Sequence, residues 1–275
     1  MTELYQIAHQ SHTQMMSYVL RTETGSLSVI DGGTERDAPY LLALLQRLAG
    51  GMPRVDAWFL THAHSDHVDA FLALQPVMGK LLTVKTVFHA FPDASFVEAN
   101  EPSSQHTIHA YLKSAKSMQA DEIILHAGDC LGIGGACFEV LYTANPAYTM
   151  NALNNSSTVL RLTAGGVRVL FLGDLGIEGG NELLATHGDG LRSDLVQMAH
   201  HGQSGVEPPV YAAIRPSMCL WCTPKWLWDN NQGGRGLDSG PWTTRLVAED
   251  MLQKPNVPEH GISMHGTHRL PLENG

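Results

Sequence analysis

Thr61-His62-Ala63-His64-Ser65-Asp66-His67 is the stretch on which the reading of this chain turns. It follows directly on an apolar run, residues 55–60, that reads as a buried strand. It precedes a helical pattern through about Leu74 that Ser65 or Asp66 can cap. Four side chains of metal-binding type, His62, His64, Asp66 and His67, therefore fall within six residues at a strand-to-helix junction. Alternate residues of an extended chain share a side, so His62 and His64 can meet one ion. Asp66 and His67 come after the chain has begun to turn and can serve a second ion beside the first. Any one of these histidines alone would be an ordinary solvated loop residue; four ligand types at this spacing are not.

Upstream, residues 17–21 and 27–30 read as a hairpin around Glu23-Thr24-Gly25, with the second arm running into Asp31-Gly32-Gly33. Leucines at 41, 42, 44, 45 and 48 mark a helix over residues 39–48 that stops at Gly50-Gly51. Downstream, residues 82–88 read as a strand, and Ser103 or Ser104 caps a helix through about Met118. Further strands are expected at 122–125, 138–143, 157–163 and 167–172, with Gly165-Gly166 as a hairpin turn, and at 195–199, which runs into His200-His201. Strands alternate with both helices and hairpins, which favours a mixed-sheet α/β fold. No internal repeat or low-complexity linker interrupts the 275 residues. They read as one domain over 1–275, with a core at about 17–220 and a Trp-rich C-terminal extension at about 221–275.

The H-x-H-x-D-H pattern at His62–His67 resembles that of the metallo-β-lactamase superfamily, and the resemblance covers roughly residues 17–201. It implies an αββα sandwich of two mixed β-sheets flanked by helices. It also implies two divalent metal ions at the sheet edge, zinc first, with manganese or iron as alternatives. Asp31, in Val29-Ile30-Asp31-Gly32-Gly33, is implied to support the site without binding metal. Asp174, in Leu170-Phe171-Leu172-Gly173-Asp174, is implied to bridge the two ions, where one carboxylate screens the repulsion between dications. Two departures narrow the subgroup. Most relatives place a histidine after the strand at 138–143 as the third ligand of the first ion. Here that loop reads Asn154-Asn155-Ser156-Ser157-Thr158-Val159, which puts Asn154, a harder and weaker ligand than imidazole, in its place. The segment Gln197-Met198-Ala199-His200-His201-Gly202-Gln203-Ser204-Gly205 resembles the His-His-Gly-Ser element of the metallo-β-lactamase-like domain in the DNA-uptake competence protein ComEC and in phosphorylcholine esterases. One of the two histidines is then the remaining ligand of the second ion. His201 is preferred, with His200 beside the metals as a proton donor or a ligand.

The activity implied is hydrolysis by a metal-activated water that Asp66 helps to orient. The subgroup points to a small phosphodiester or phosphoester, whereas the superfamily at large also cleaves lactams, lactones and thioesters. Flavodiiron members usually carry glutamate where this chain has His64, which argues against redox chemistry. A non-catalytic metal-dependent binding or sensor protein is the contrasting class, and the intact Asp66 and Asp174 speak against it.

Composition agrees with a small-molecule partner. Seventeen Lys and Arg against 27 Asp and Glu give a formal charge of −10, which disfavours extended nucleic acid and anionic lipid. No Lys/Arg cluster accompanies the histidines, of which there are 15. His9, Gln10, His12 and Gln14 interrupt the place of a secretory apolar core, and no apolar run approaches the ~18 residues of a membrane span. The chain reads as cytoplasmic. Cys130, Cys137, Cys219 and Cys222 are too few and too unevenly spaced for a disulfide framework, and Cys219 and Cys222, after the apolar stretch 217–220, read as buried free thiols. Trp221, Trp226, Trp228 and Trp242 are four of five tryptophans within 22 residues. Two readings stand: a loop bordering the site, with Trp226 and Trp228 on the substrate and Arg235 on an anion, or a tail packed on the sandwich.

Overall fold

The computed structural model describes residues 1–254, 257 and 259–273. Its strands in chain order are β1 (Glu3–Gln6), β2 (Ser17–Arg21), β3 (Leu27–Asp31), β4 (Arg54–Leu60), β5 (Thr83–His89), β6 (Asp121–Ile124) and β7 (Cys130–Ile133). There follow β8 (Ala136–Tyr142), β9 (Val159–Ala164), β10 (Val167–Phe171), β11 (Leu195–Gln197), β12 (Met218–Trp221), β13 (Glu259–Ile262) and β14 (His268–Pro271). The helices are α1 (Ala38–Ala49), α2 (Ser65–Leu74), α3 (Ala94–Asn100), α4 (Gln105–Ala115), α5 (Ile177–His187), α6 (Pro208–Ile214), α7 (Lys225–Trp228) and α8 (Thr244–Leu252).

Two seven-stranded sheets run β14-β1-β2-β3-β4-β5-β6 and β13-β12-β11-β10-β9-β8-β7. Along β4, Ala57 and Phe59 point between the sheets, while Val55, Trp58 and Leu60 point outward to the helices. Phe59 meets Phe88 of its own sheet and Phe138 of the other, with ring centroids 4.9 and 4.6 Å apart. On the outer face of the first sheet, Trp58 and Val87 pack against Leu41 and Leu45 of α1, Phe71 of α2 and Tyr111 of α4. On that of the second, Leu170, Val196 and Trp221 pack against Leu183 of α5, Ile214 of α6 and Met251 of α8. The layers are helix, sheet, sheet, helix, the αββα sandwich that the motif implied. Strands buried on both faces explain why their sequences are apolar runs rather than alternations.

The pairing pattern is the same in both sheets. From β14 to β3 neighbours are antiparallel and from β3 to β6 parallel; from β7 to β10 they are antiparallel and from β10 to β13 parallel. A repeat invisible in the residues thus exists in the topology. The sheets also extend beyond residues 17–220, since β1 and β14 belong to the first sheet and β13 to the second. Cys219 and Cys222 are buried free thiols as expected, and Cys130 is exposed on the edge strand β7, its Sγ 3.2 Å from that of half-buried Cys137. No helix among the described residues is long and apolar enough to cross a membrane.

Candidate metal centre

Equivalent strand ends converge at one edge of the sandwich. From the first sheet, β3 ends on Asp31 and β4 on Thr61-His62; from the second, β10 leads to Gly173-Asp174 and β11 to His200-His201. His64, in extended conformation, is the N-cap of α2, so the helix begins at Ser65 rather than one residue later. Its carbonyl accepts the first helical N–H groups, from His67 and Val68, leaving the imidazole free to turn into the site. That turn returns Asp66 and His67 to the strand end they have just left.

Two groups of donor atoms result, each with all its members within 4.8 Å of one another. One is His62, His64 and Asp174; the other is Asp66, His67, Asp174 and His201. Asp174 belongs to both. His62 Nε2 lies 3.0 Å from His64 Nδ1 and 3.8 Å from Asp174 Oδ2. His67 Nε2 lies 3.2 Å from Asp174 Oδ1, and His201 Nε2 lies 3.1 Å from Asp66 Oδ2 and 3.4 Å from Asp174 Oδ2.

The far nitrogen of each imidazole is anchored. His67 Nδ1 donates to Asp31 Oδ2 at 2.7 Å, and Asp31 also receives the Thr61 amide at 2.8 Å and hydroxyl at 2.7 Å. His201 Nδ1 donates to the Cys222 carbonyl at 2.9 Å. His62 Nδ1 sits 3.2 Å from the Thr61 hydroxyl, and His64 Nε2 donates to Glu101 Oε1 at 2.6 Å. Such partners select the tautomer and aim the ring. Asp31 is therefore where the motif implied, behind the site.

Asn154 is in the 3-10 turn Asn154–Ser156. Its amide group donates to Asn151 Oδ1 at 2.9 Å and approaches His200 Nε2 at 3.4 Å, which leaves Oδ1 buried without a hydrogen-bond partner. His67 Nε2 and Asp174 Oδ1, 3.2 Å apart, face only each other. A buried polar atom with nothing to bind costs about 1–3 kcal/mol. The orphaned Asn154 Oδ1 beside a buried, N/O-rich donor set fits divalent metal ions.

Backbone strain gathers here as well. Asp31, Asn151, His200 and His201 are four of the seven non-glycine residues at positive φ among the described residues, with values of 54°, 48°, 52° and 56°. The consecutive left-handed histidines are held by the Thr223 hydroxyl on the His201 carbonyl at 2.5 Å and by Gly202, also left-handed, against the Trp221 ring. Strain of this kind persists where surrounding contacts over-determine it.

Burial works against every charge in the pocket, and the partners decide which charges survive. At His67 the carboxylates of Asp174 and Asp31 outweigh burial and hold the pKa well above the usual imidazole value. His201 is pushed up to about 9 against burial, chiefly by Asp174. Asp174 is held well below the carboxylate range by His67 and His201, and Asp66 is lowered by the His201 hydrogen bond and the His67 charge. His62 goes the other way: burial, then the neighbouring His67 charge, depress it.

The other expected contacts are placed differently. Trp228 stands edge-on to buried Trp221, with centroids 5.3 Å apart, and serves packing. Trp226 packs edge-on against Trp242 and donates through Nε1 to the His12 carbonyl at 2.6 Å, tying the C-terminal segment to the N-terminal loop. Arg235 is exposed in the turn that its amide closes on the Gln232 carbonyl. The Ser157 hydroxyl accepts the Asp174 amide at 3.0 Å. Glu101 and Asn151 were not singled out from the sequence, and no spacing rule reaches them, because tertiary packing brings them in.

The Metallo-beta-lactamase superfamily model matches residues 13–77, which contain β2 to β4, the motif and all of α2. ComE operon protein 3 of Bacillus subtilis (strain 168) is 28% identical over 158 residues, 57% of this chain and 18% of that protein. The chain is similar to the metallo-β-lactamase superfamily in this region. It spans under a fifth of the length of that relative. Solved metallo-β-lactamase-fold structures superpose along nearly all of it: YhfI from Bacillus subtilis with a TM-score of 0.59 at 13% identity, covering 98% of this chain and 100% of that one. CmlA, a diiron β-hydroxylase from Streptomyces venezuelae, gives 0.58 at 14%, covering 98% and 54%. A diphosphatase from the PhnP family gives 0.53 at 12%, covering 99% and 98%. At these identities the likeness establishes the metallo-β-lactamase fold, which therefore carries more than one chemistry.

Proposed function

We propose that this protein is a binuclear metal-dependent hydrolase acting on a small phosphodiester or phosphoester. The observation that carries the reading is Asp174, shared by two otherwise separate sets of donor atoms. His62, His64, Asn154 and Asp174 would hold the first ion, and Asp66, His67, Asp174 and His201 the second. Zinc suits the imidazole-rich second set, and the amide of Asn154 opens the first to a harder ion such as manganese. Bound there, two dications supply Lewis acidity, which brings a water pKa toward ~7 and offsets charge developing on substrate oxygens.

The protein does the rest. Asp66, whose carboxylate is 13% exposed beside nearly closed His201, orients the attacking water as well as ligating. His200 Nδ1 faces the Ser204 carbonyl at 3.4 Å and Nε2 faces the Asn154 amide at 3.4 Å, so once Asn154 turns to a metal, Nε2 would be open to pass a proton to the leaving oxygen. Phosphorus is preferred as the electrophile because the His-His-Gly-Ser element and the Asn-x-x-Ser loop from Asn154 to Ser157 resemble the competence subgroup, and because one protein of this fold is a diphosphatase. A net charge of −10 favours a small substrate over a polymer.

The test is turnover of bis-p-nitrophenyl phosphate, a chromogenic cephalosporin and a thioester by protein loaded with zinc or manganese. Phosphodiester hydrolysis that chelation removes, and that falls at least ~10²-fold in Asp174→Asn, is the expected result. Hydrolysis of the cephalosporin or thioester alone, or activity that survives chelation, would overturn the proposal.

A further inference from the structure

We infer that Glu101 is a positioning residue for the half-site of His62, His64 and Asn154, an inference that rests on the two-metal reading above. It stands at the junction of α3 and α4, outside every segment that supplies a ligand. Its Oε1 accepts from His64 Nε2 at 2.6 Å and from the Ser104 hydroxyl at 3.0 Å. Its Oε2 accepts the backbone amide of Leu153, the residue before Asn154, at 3.1 Å. One carboxylate therefore grips an imidazole of the first set and the backbone that carries the amide of the first set. With Nε2–H committed to Glu101, the lone pair of His64 is on Nδ1, the nitrogen that faces His62 Nε2 at 3.0 Å.

Each half-site then has one carboxylate behind it: Asp31 behind His67 in the second and Glu101 behind His64 in the first. Removing such a partner costs a ligand set about 10–100-fold in affinity. The grip on Leu153 adds a second route, because an unanchored Asn154 turn loses the aim of its amide.

The experiment is metal titration of the chelator-stripped full-length protein with zinc, read by calorimetry and by metal content per chain. Wild type should bind two ions. Glu101→Ala should lose one of them by about 10–100-fold while the other keeps its affinity. Glu101→Gln keeps the length and one acceptor oxygen, which can serve His64 while its NH2 gives up the Leu153 amide, and should lose less affinity than the alanine variant. Glu101→Asp keeps the charge but falls a methylene short and should resemble the alanine variant. The opposite order, Asp above Gln, would show that only local charge matters and would overturn the inference. So would two ions bound with wild-type affinity by Glu101→Ala. Wild-type protein that binds fewer than two ions would instead sink the two-metal reading, and the half-site with it. Melting temperatures of the stripped variants guard against misfolding, and the Gln-against-Asp order decides the matter if Glu101→Ala fails to fold.

Discussion

Asn154 shows how one side chain can favour opposite states of the protein. Its Oδ1 is buried without a partner, an arrangement that costs about 1–3 kcal/mol until something electropositive meets it. Asn154→Ala removes that cost along with the bonds to Asn151 and His200, so the stripped protein should melt within a few degrees of wild type. The rise in melting temperature on adding metal should shrink, and Asn154→His, which restores an imidazole, should enlarge it for zinc. Thermal scans with and without metal check both. At this scale the sequence was legible where covalent spacing does the work. His62, His64, Asp66 and His67 are fixed relative to one another by a single strand, turn and helix start. Glu101 was not legible, because it meets His64 only after α3 and α4 have packed, 37 residues away along the chain.

Gly173 is where an element boundary becomes a constraint on chemistry. It leaves β10 at φ 57°, and a Cβ there would fall 2.9 Å from the Ser157 hydroxyl that accepts the Asp174 amide. Gly173→Ala should cost about 1–2 kcal/mol from backbone conformation alone, with added loss from the displaced Ser157, and should lower metal occupancy. Chemical denaturation and metal analysis read the two effects. The end of β5 makes a separate prediction. Buried His89 accepts the Phe91 amide on Nδ1 and faces Glu122 of β6 through Nε2, while the Tyr111 hydroxyl of α4 donates to the same Glu122. Burial, only partly opposed by Glu122, lowers the His89 pKa. A base with a depressed folded pKa contributes its stability above the unfolded value near ~6.5 and loses it as the pH falls below that. His89→Gln should flatten the decline in melting temperature just below pH ~6.5. A decline as steep as that of wild type would refute the assignment.

Long buried elements were the most legible. The hairpin β2–β3, helix α1 and strands β4, β5, β8, β9 and β10 stand within a residue or two of their sequence pattern, because buried faces impose long apolar runs. The four-residue strands β1, β7, β13 and β14 and the short helix α3 left no such pattern. They are too short for periodicity to register, and β7, β13 and β14 are edge strands with one neighbour each.

As a whole the molecule is two copies of one pairing scheme, face to face, with the metal centre where equivalent strand ends meet. The last strand closes the first sheet. Leu272, fully buried between the sheets just past β14, pins that closure, and its amide bonds the Thr2 carbonyl at 2.9 Å. Leu272→Ala should cost about 2–5 kcal/mol, measured by urea denaturation, far more than its place near the C-terminus suggests. The tryptophan-rich tail is thus bound into the architecture, contributing a strand to each sheet. Pairing of β1 with β14 brings Glu3 opposite Pro271. The backbone at Glu3 and at Pro271 therefore lies side by side, a geometry suited to circular permutation or to splicing into a surface loop of a host polypeptide. Rejoining those ends with a short linker and opening the chain between β6 and β7, where one sheet hands over to the other, would give a permutant whose two halves each keep an uninterrupted sheet.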